Sequence, residues 1–202
     1  MLSKSKLRIV WAIAIMGMMA MMACSKTEEQ QPEDTTKSKN VTLSRKTDYG
    51  DDWIYFSLRE GKELSIAEAN HKTDLSWDLA FNRYNVRTNS GLSGNGQGGA
   101  LKTESTSFDD VNAVPAGQFS IDTVYSISAP GSGFPPPTME STANLVLCEA
   151  IAFSGPPPAY TPSPNVFIVR LADGRYAKFM AIGFYNDEGV SGYYTFKYAL
   201  LD

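Results

Sequence analysis

One histidine and two cysteines among 202 residues leave little room for metal, redox or nucleophilic chemistry. The histidine, His71, lies in the polar stretch Ala69-Asn-His-Lys-Thr-Asp74 and reads as a solvated turn residue. No shaped strand-to-helix turn stands near it to hold a Ser–His–acid system. There is no Cys-x-x-Cys pair and no Gly-x-x-x-x-Gly-Lys-Ser/Thr P-loop; Gly61-Lys62 is followed by Glu63. Gly94-x-Gly96-x-x-Gly99 matches the dinucleotide fingerprint only in letters. The residues after it show no helical apolar face, and no βαβ unit surrounds it. The carboxylate pairs Asp51-Asp52, Asp109-Asp110 and Asp187-Glu188 fall in turn-like sequence. These absences point to a protein that is not an enzyme.

Long apolar runs are scarce as well. Ile9 to Ala23 is free of charge but only 15 residues long, too short for a comfortable membrane-spanning helix. With the basic head Lys4, Lys6 and Arg8 before it and Met21-Met-Ala-Cys24 at its end, it reads as a lipoprotein signal peptide over residues 1–23. Met21 stands where leucine is usual. Cys24 is then the lipidated first residue of the mature chain and its membrane anchor. Residues 24–40 carry no large apolar side chain and read as a flexible tether. Within it, Lys26-Thr-Glu-Glu29 resembles the acidic signal that sends lipoproteins to the outer face.

Positive charge is in short supply. The chain holds 18 Lys and Arg against 22 Asp and Glu, and loss of residues 1–23 leaves 15 against 22, a net charge of −7. Such a surface repels phosphate backbones, so nucleic acid is excluded as a partner. With Cys24 lipidated, Cys148 has no disulfide partner. It sits in the apolar run Asn144 to Phe153 and reads as an inert buried thiol.

From Val41 onward the chain has strand patterns and turns but nothing long enough for a crossover helix, which predicts a single all-β domain over 41–202 with mainly antiparallel strands. Strands are predicted at Val41–Arg45, Trp53–Leu58, Glu63–Ile66, Leu75–Arg83, Tyr84–Thr88 and Phe119–Ile127. Further ones are predicted at Leu145–Phe153, Val166–Leu171, Tyr176–Tyr185 and Tyr193–Leu200. Only Glu63–Lys72 has the pattern of a short helix. Asn186-Asp-Glu-Gly189 predicts the turn of a C-terminal hairpin. Two proline-rich stretches, Ala129–Met139 and Gly155–Pro164, lack ladder donors and are expected to lie outside the sheets as stiff loops at the rim of a shared cleft.

The most informative stretch runs from Leu75 to Gly99. Leu75, Trp77, Leu79 and Phe81 alternate with Ser76, Asp78, Ala80 and Asn82, as in a core strand with one apolar face. Gly91, Gly94, Gly96, Gly98 and Gly99 follow, a side-chain-poor loop built for close backbone approach. Trp77-Asp-Leu-Ala-Phe-x-Arg-Tyr-x-Val-Arg-x-Asn-x-Gly-x-Ser-Gly-x-Gly-x-Gly-Gly99 resembles the HmuY family of haem-binding surface lipoproteins. So do Asp52-Trp53-x-Tyr55-Phe56-Ser57, Phe153-Ser154, and Val166-Phe167-x-Val169-Arg170-x-Ala172-Asp173-Gly174. The likeness extends over most of the chain from Val41 to Tyr198.

This resemblance implies non-catalytic haem binding in haem and iron acquisition. It also implies a haem source such as a haem-carrying host protein, an outer-membrane haem receptor, and a lipid-anchored place on the outer membrane facing the cell surface. It further implies two axial ligands, one from the loop before Leu145 and one from the loop after Phe153-Ser154, with histidine pairs and methionine pairs both found in the family. Carried onto this chain, the first loop offers Met139, a competent soft donor to iron. The second offers neither histidine nor methionine, only Tyr160. Met180, the other methionine of the mature chain, is the remaining candidate. It is expected on a strand face with Lys178, Ile182 and Phe184. The competing reading is a surface interaction or adhesion module on the same fold that takes no haem.

Overall fold

The computed structural model describes residues 37–44, 49–131 and 135–201, so the signal peptide, Cys24 and the tether up to residue 36 lie outside the described residues. Thirteen strands form: β1 Lys39–Thr42, β2 Ile54–Ser57, β3 Lys62–Leu64, β4 Leu79–Asn82, β5 Asn85–Thr88, β6 Gly99–Lys102 and β7 Thr123–Ser128, then β8 Thr138–Ala143, β9 Ile151–Ser154, β10 Ala159–Pro162, β11 Phe167–Arg170, β12 Tyr176–Tyr185 and β13 Ser191–Leu201. All their pairings are antiparallel. A five-stranded sheet has the order β1-β13-β12-β11-β6, a four-stranded sheet the order β3-β2-β4-β5, and β7–β8 and β9–β10 are separate hairpins. The all-β expectation holds. The first strand starts at Lys39, slightly ahead of the expected Val41.

The two larger sheets face each other across the main core. Phe56, Leu79, Phe81 and Val86 from the smaller meet Phe167, Phe179, Phe196 and Tyr198 from the larger. Phe81 stacks on Phe196 with centroids 5.4 Å apart, and Phe56 meets the same ring edge-on. The opposite face of the four-stranded sheet is covered by the β7–β8 hairpin, which brings Ile127 and Ala143 onto Trp53, Tyr55, Trp77 and Ala80. The outer face of the larger sheet is covered by Phe108 and Val111 of the segment between β6 and β7.

This layering corrects the one-sided reading of the tryptophan stretch. β4 and β5 are buried on both faces because sheet lies on one side and hairpin on the other. The extended chain begins only at Leu79, so the parity assumed from Leu75 does not carry through. Leu79 and Phe81 enter the main core, Trp77 enters the second cluster, and Leu75 is exposed.

Other expectations need correction. Leu145–Phe153 does not form one strand: a 3-10 turn occupies Leu147–Ala150, its first amide donating to the Asn144 side chain, and β9 starts only at Ile151. Glu63–Lys72 holds the end of β3 followed by turns rather than a helix. Both proline-rich stretches contribute strands: β8 takes in Thr138 and Met139, and β10 ends on Pro162, whose missing N–H is tolerated in a two-stranded edge. His71 is buried, its Nδ1 bonded to the Glu68 carbonyl and its own carbonyl accepting from Trp77 Nε1. The C-terminal hairpin forms as expected, with the Asn186 side chain accepting from the Glu188 and Val190 amides.

Asp122 is buried among donors, with no cation beside it among the described residues. It accepts from the Thr88 amide and hydroxyl and from Asn144 Nδ2, yet burial pushes its carboxyl up to about 6. A carboxyl whose pKa is raised in the fold binds its proton more tightly there than in the unfolded chain. Its contribution to stability is therefore full below about pH 4 and is lost as pH rises through about 6, an effect of roughly 3 kcal/mol. Urea midpoints at pH 4.5 and 7 should show this loss in the wild type, and Asp122→Asn should abolish most of the difference between the two pH values. An unchanged difference in the variant would show that other carboxyls set the slope.

Candidate functional site

The β4–β5 connection is a two-residue turn, Arg83-Tyr84, closed by the Asn82–Asn85 pair. Arg83 has φ +55°, the one left-handed non-glycine among the described residues, at a cost of about 1–2 kcal/mol. That conformation lays its guanidinium over the Tyr49 ring at 4.6 Å and beside the Tyr84 ring at 5.8 Å. Its Nη2 donates to the Tyr160 hydroxyl at 2.9 Å.

Tyr49 and Tyr160 belong to the surroundings of different hairpins. The neighbour of Tyr49, Gly50, donates its amide to the Ser128 carbonyl at the end of β7 and lies against Pro130. Tyr160 is in β10. Arg83 thus sits where the β7–β8 and β9–β10 hairpins, each ending in a proline-rich tip, come together over the central sheet.

Aromatic side chains surround it. Tyr84 stacks on Phe153 with centroids 5.7 Å apart and planes 7° from parallel, and both rings also meet Tyr160. The Tyr160 amide donates to the Tyr185 hydroxyl at 3.0 Å. Phe153 is 42% exposed and Tyr49 41%, so large flat surfaces face solvent here. Below them, Cys148 lies near Tyr125 and Tyr84. Burial pushes its thiol up to about 12, so it stays protonated and is a poor nucleophile.

The structure places the three candidate iron ligands in three different apolar clusters. Met139 is half-buried on β8, opposite Ile127, and packs into the cluster of Trp53 and Trp77. Tyr160 packs against the main core, its hydroxyl already engaged by Arg83. Met180 packs with Phe108 and Ile168 over the outer face of the five-stranded sheet. It does not share a face with Phe184: the β12–β13 register shifts on either side of Gly183, and this turns Phe184 into the main core. Met139 and Tyr160 each belong to one of the hairpins that meet at Arg83, whereas Met180 does not.

The sequence model of the family described as HmuY protein matches residues 49–198. The chain belongs to the HmuY family. No curated protein matches it. Among solved structures, this HmuY-family chain is similar to a Bacteroides vulgatus protein named as HmuY-like and heme-binding, with 29% identity and a TM-score of 0.66 over 82% of this chain and 92% of that one. A Bacteroides fragilis protein named as a lipoprotein shares 25% identity with a TM-score of 0.64 over 80% and 90%. The apo form of a Tannerella forsythia HmuY analog, 23% identical, has the same fold with a TM-score of 0.62 over 83% and 96%.

The HmuY signature is mostly structural here. Its Gly94, Gly96 and Gly98 wrap around Asn89 and its Asp78 caps a turn, so the motif that identifies the family builds the scaffold. Reading the sequence missed Arg83, Tyr84, Phe153 and Tyr49 as a group. The signal was the Asn82–Asn85 spacing, which fits a two-residue turn and would have placed Arg83 and Tyr84 at a hairpin tip.

Proposed function

We propose that this HmuY-family chain binds haem non-catalytically at the meeting point of the two hairpins and serves haem acquisition. The observation that carries the reading is the near-parallel pair of half-buried Tyr84 and exposed Phe153 beside the Arg83 guanidinium, an apolar wall with a cation at its edge. Haem brings a flat apolar ring, two carboxylates and an iron that takes soft axial donors. Tyr84, Phe153 and Tyr160 fit the ring, Arg83 fits a carboxylate, and Met139 is the thioether on the neighbouring hairpin. The residues fit one axial bond better than two, because Tyr160 already accepts from Arg83.

The same reading makes Cys24 the lipid anchor that holds the domain at the outer membrane, with an outer-membrane haem receptor and a haem-carrying host protein as partners. The alternative, a surface adhesion module that takes no haem, predicts a featureless titration. Titrating the full chain with ferric and ferrous haem should give a saturable Soret shift. Met139→Ala should weaken binding about fivefold, equivalent to ~1 kcal/mol, and Met180→Ala should leave it unchanged. Equal or reversed effects would remove Met139 from the site.

A further inference from the structure

We infer that Arg83 selects the ligand by its carboxylate, and that the site takes iron-free tetrapyrrole acids as well as haem. This rests on the haem reading above and narrows what the site recognises.

The guanidinium of Arg83 is half-buried, and its partners are two phenols and two ring faces: Tyr49, Tyr84 and Tyr160. Among the described residues no carboxylate pairs with it. Arg59, Arg87 and Arg175, by contrast, each have a carboxylate partner. A partly desolvated cation surrounded by neutral groups attracts an anion, and a guanidinium suits a planar carboxylate because two parallel N–H bonds can form. The left-handed backbone at Arg83 fixes where that charge points.

Iron, in contrast, meets a poor donor set. Met139, Tyr160 and Met180 lie in separate clusters, and the Tyr160 oxygen is already an acceptor. The ring faces and the cation are already side by side, while a pair of axial donors is not. A ligand carboxylate that drew Arg83 off Tyr160 would also free that phenol, so the carboxylate is read before the metal.

The test compares three probes on the full chain by fluorescence quenching and absorbance: ferric haem, metal-free protoporphyrin IX, and its dimethyl ester. The metal-free acid should bind within about tenfold of haem, and the ester about thirtyfold more weakly than the acid. Arg83→Met should lower affinity for haem and for the acid by a similar factor while leaving the ester unchanged. Haem binding with no binding of the acid would overturn the inference and leave the haem reading standing. No binding of haem would overturn both. An ester that binds as tightly as the acid would overturn the role of Arg83, and because that comparison uses the unaltered protein it holds even if the variant fails to fold.

Discussion

Replacing Asp78 with alanine should cost about 3–5 kcal/mol of folding stability, a large share of the 5–15 kcal/mol that holds a typical domain together. The side chain is fully buried at the start of the tryptophan motif. One oxygen accepts the Leu58 amide at 2.9 Å and the Arg59 amide at 3.4 Å, capping the turn between β2 and β3. The other accepts the Ala172 amide at 3.1 Å, holding the turn between β11 and β12. Arg59 completes the arrangement with an ion pair at 3.1 Å and further bonds to the Leu75 and Ser76 carbonyls. A single carboxylate therefore ties the four-stranded sheet to the five-stranded one through turns far apart in sequence.

Burial raises the Asp78 pKa despite Arg59 and these donors, so the charge itself is not what stabilises the fold. The value of the group lies in the amides it satisfies: without it, Leu58 and Ala172 would keep buried N–H groups with no partner. Asp78→Asn, which keeps one acceptor, should lose about half as much as Asp78→Ala. Arg59→Met should lose least, because the three backbone donors remain. Urea midpoints of the three variants decide the matter. Arg59→Met matching Asp78→Ala would show that the ion pair, not the turn capping, dominates.

The same residue shows where sequence reading reached its limit. The strands β12 and β13 and their turn were legible because the apolar period, the aromatic content and Asn186–Gly189 agree locally. Asp78 looked like the polar face of an alternating strand, and nothing local says that a hairpin will cover that face. Burial on two sides is a tertiary fact. The proline stretches misled for a related reason: a proline-rich segment reads as a loop, yet a two-stranded hairpin needs few ladder bonds and has a free edge where Pro162 fits. Of the candidate site, Met139 and Tyr160 could be named only through the two ligand loops that the family resemblance implies. Arg83 gained its meaning only when Tyr49 and Tyr160, distant in sequence, were brought to it.

The glycine loop offers the second large effect, and it separates side-chain crowding from backbone crowding. Asn89 donates from Nδ2 to the Asp74 and Trp77 carbonyls, and its Oδ1 accepts the Gly96 amide while its carbonyl accepts the Gly98 amide. The loop coils so tightly about it that a Cβ on Gly94 would lie 2.1 Å from Asn89 Oδ1, and one on Gly98 would lie 2.7 Å from the Asn89 carbonyl oxygen. Gly94→Ala should therefore destabilise by about 3 kcal/mol or more, and Gly98→Ala by a similar amount. Asn89→Ala removes three hydrogen bonds and should itself cost about 2–3 kcal/mol. In that background the oxygen that blocks Gly94 is gone, and the nearest remaining atom is the Asn89 Cα at 3.2 Å. The added cost of Gly94→Ala should then fall below about 1 kcal/mol, a strongly non-additive pair. Gly98→Ala meets main-chain atoms that Asn89→Ala leaves in place, so its cost should add in full. Urea denaturation of the two double-mutant cycles gives both coupling energies, and an additive Gly94 cycle would mean that the loop relaxes away from Asn89 instead of clashing with it.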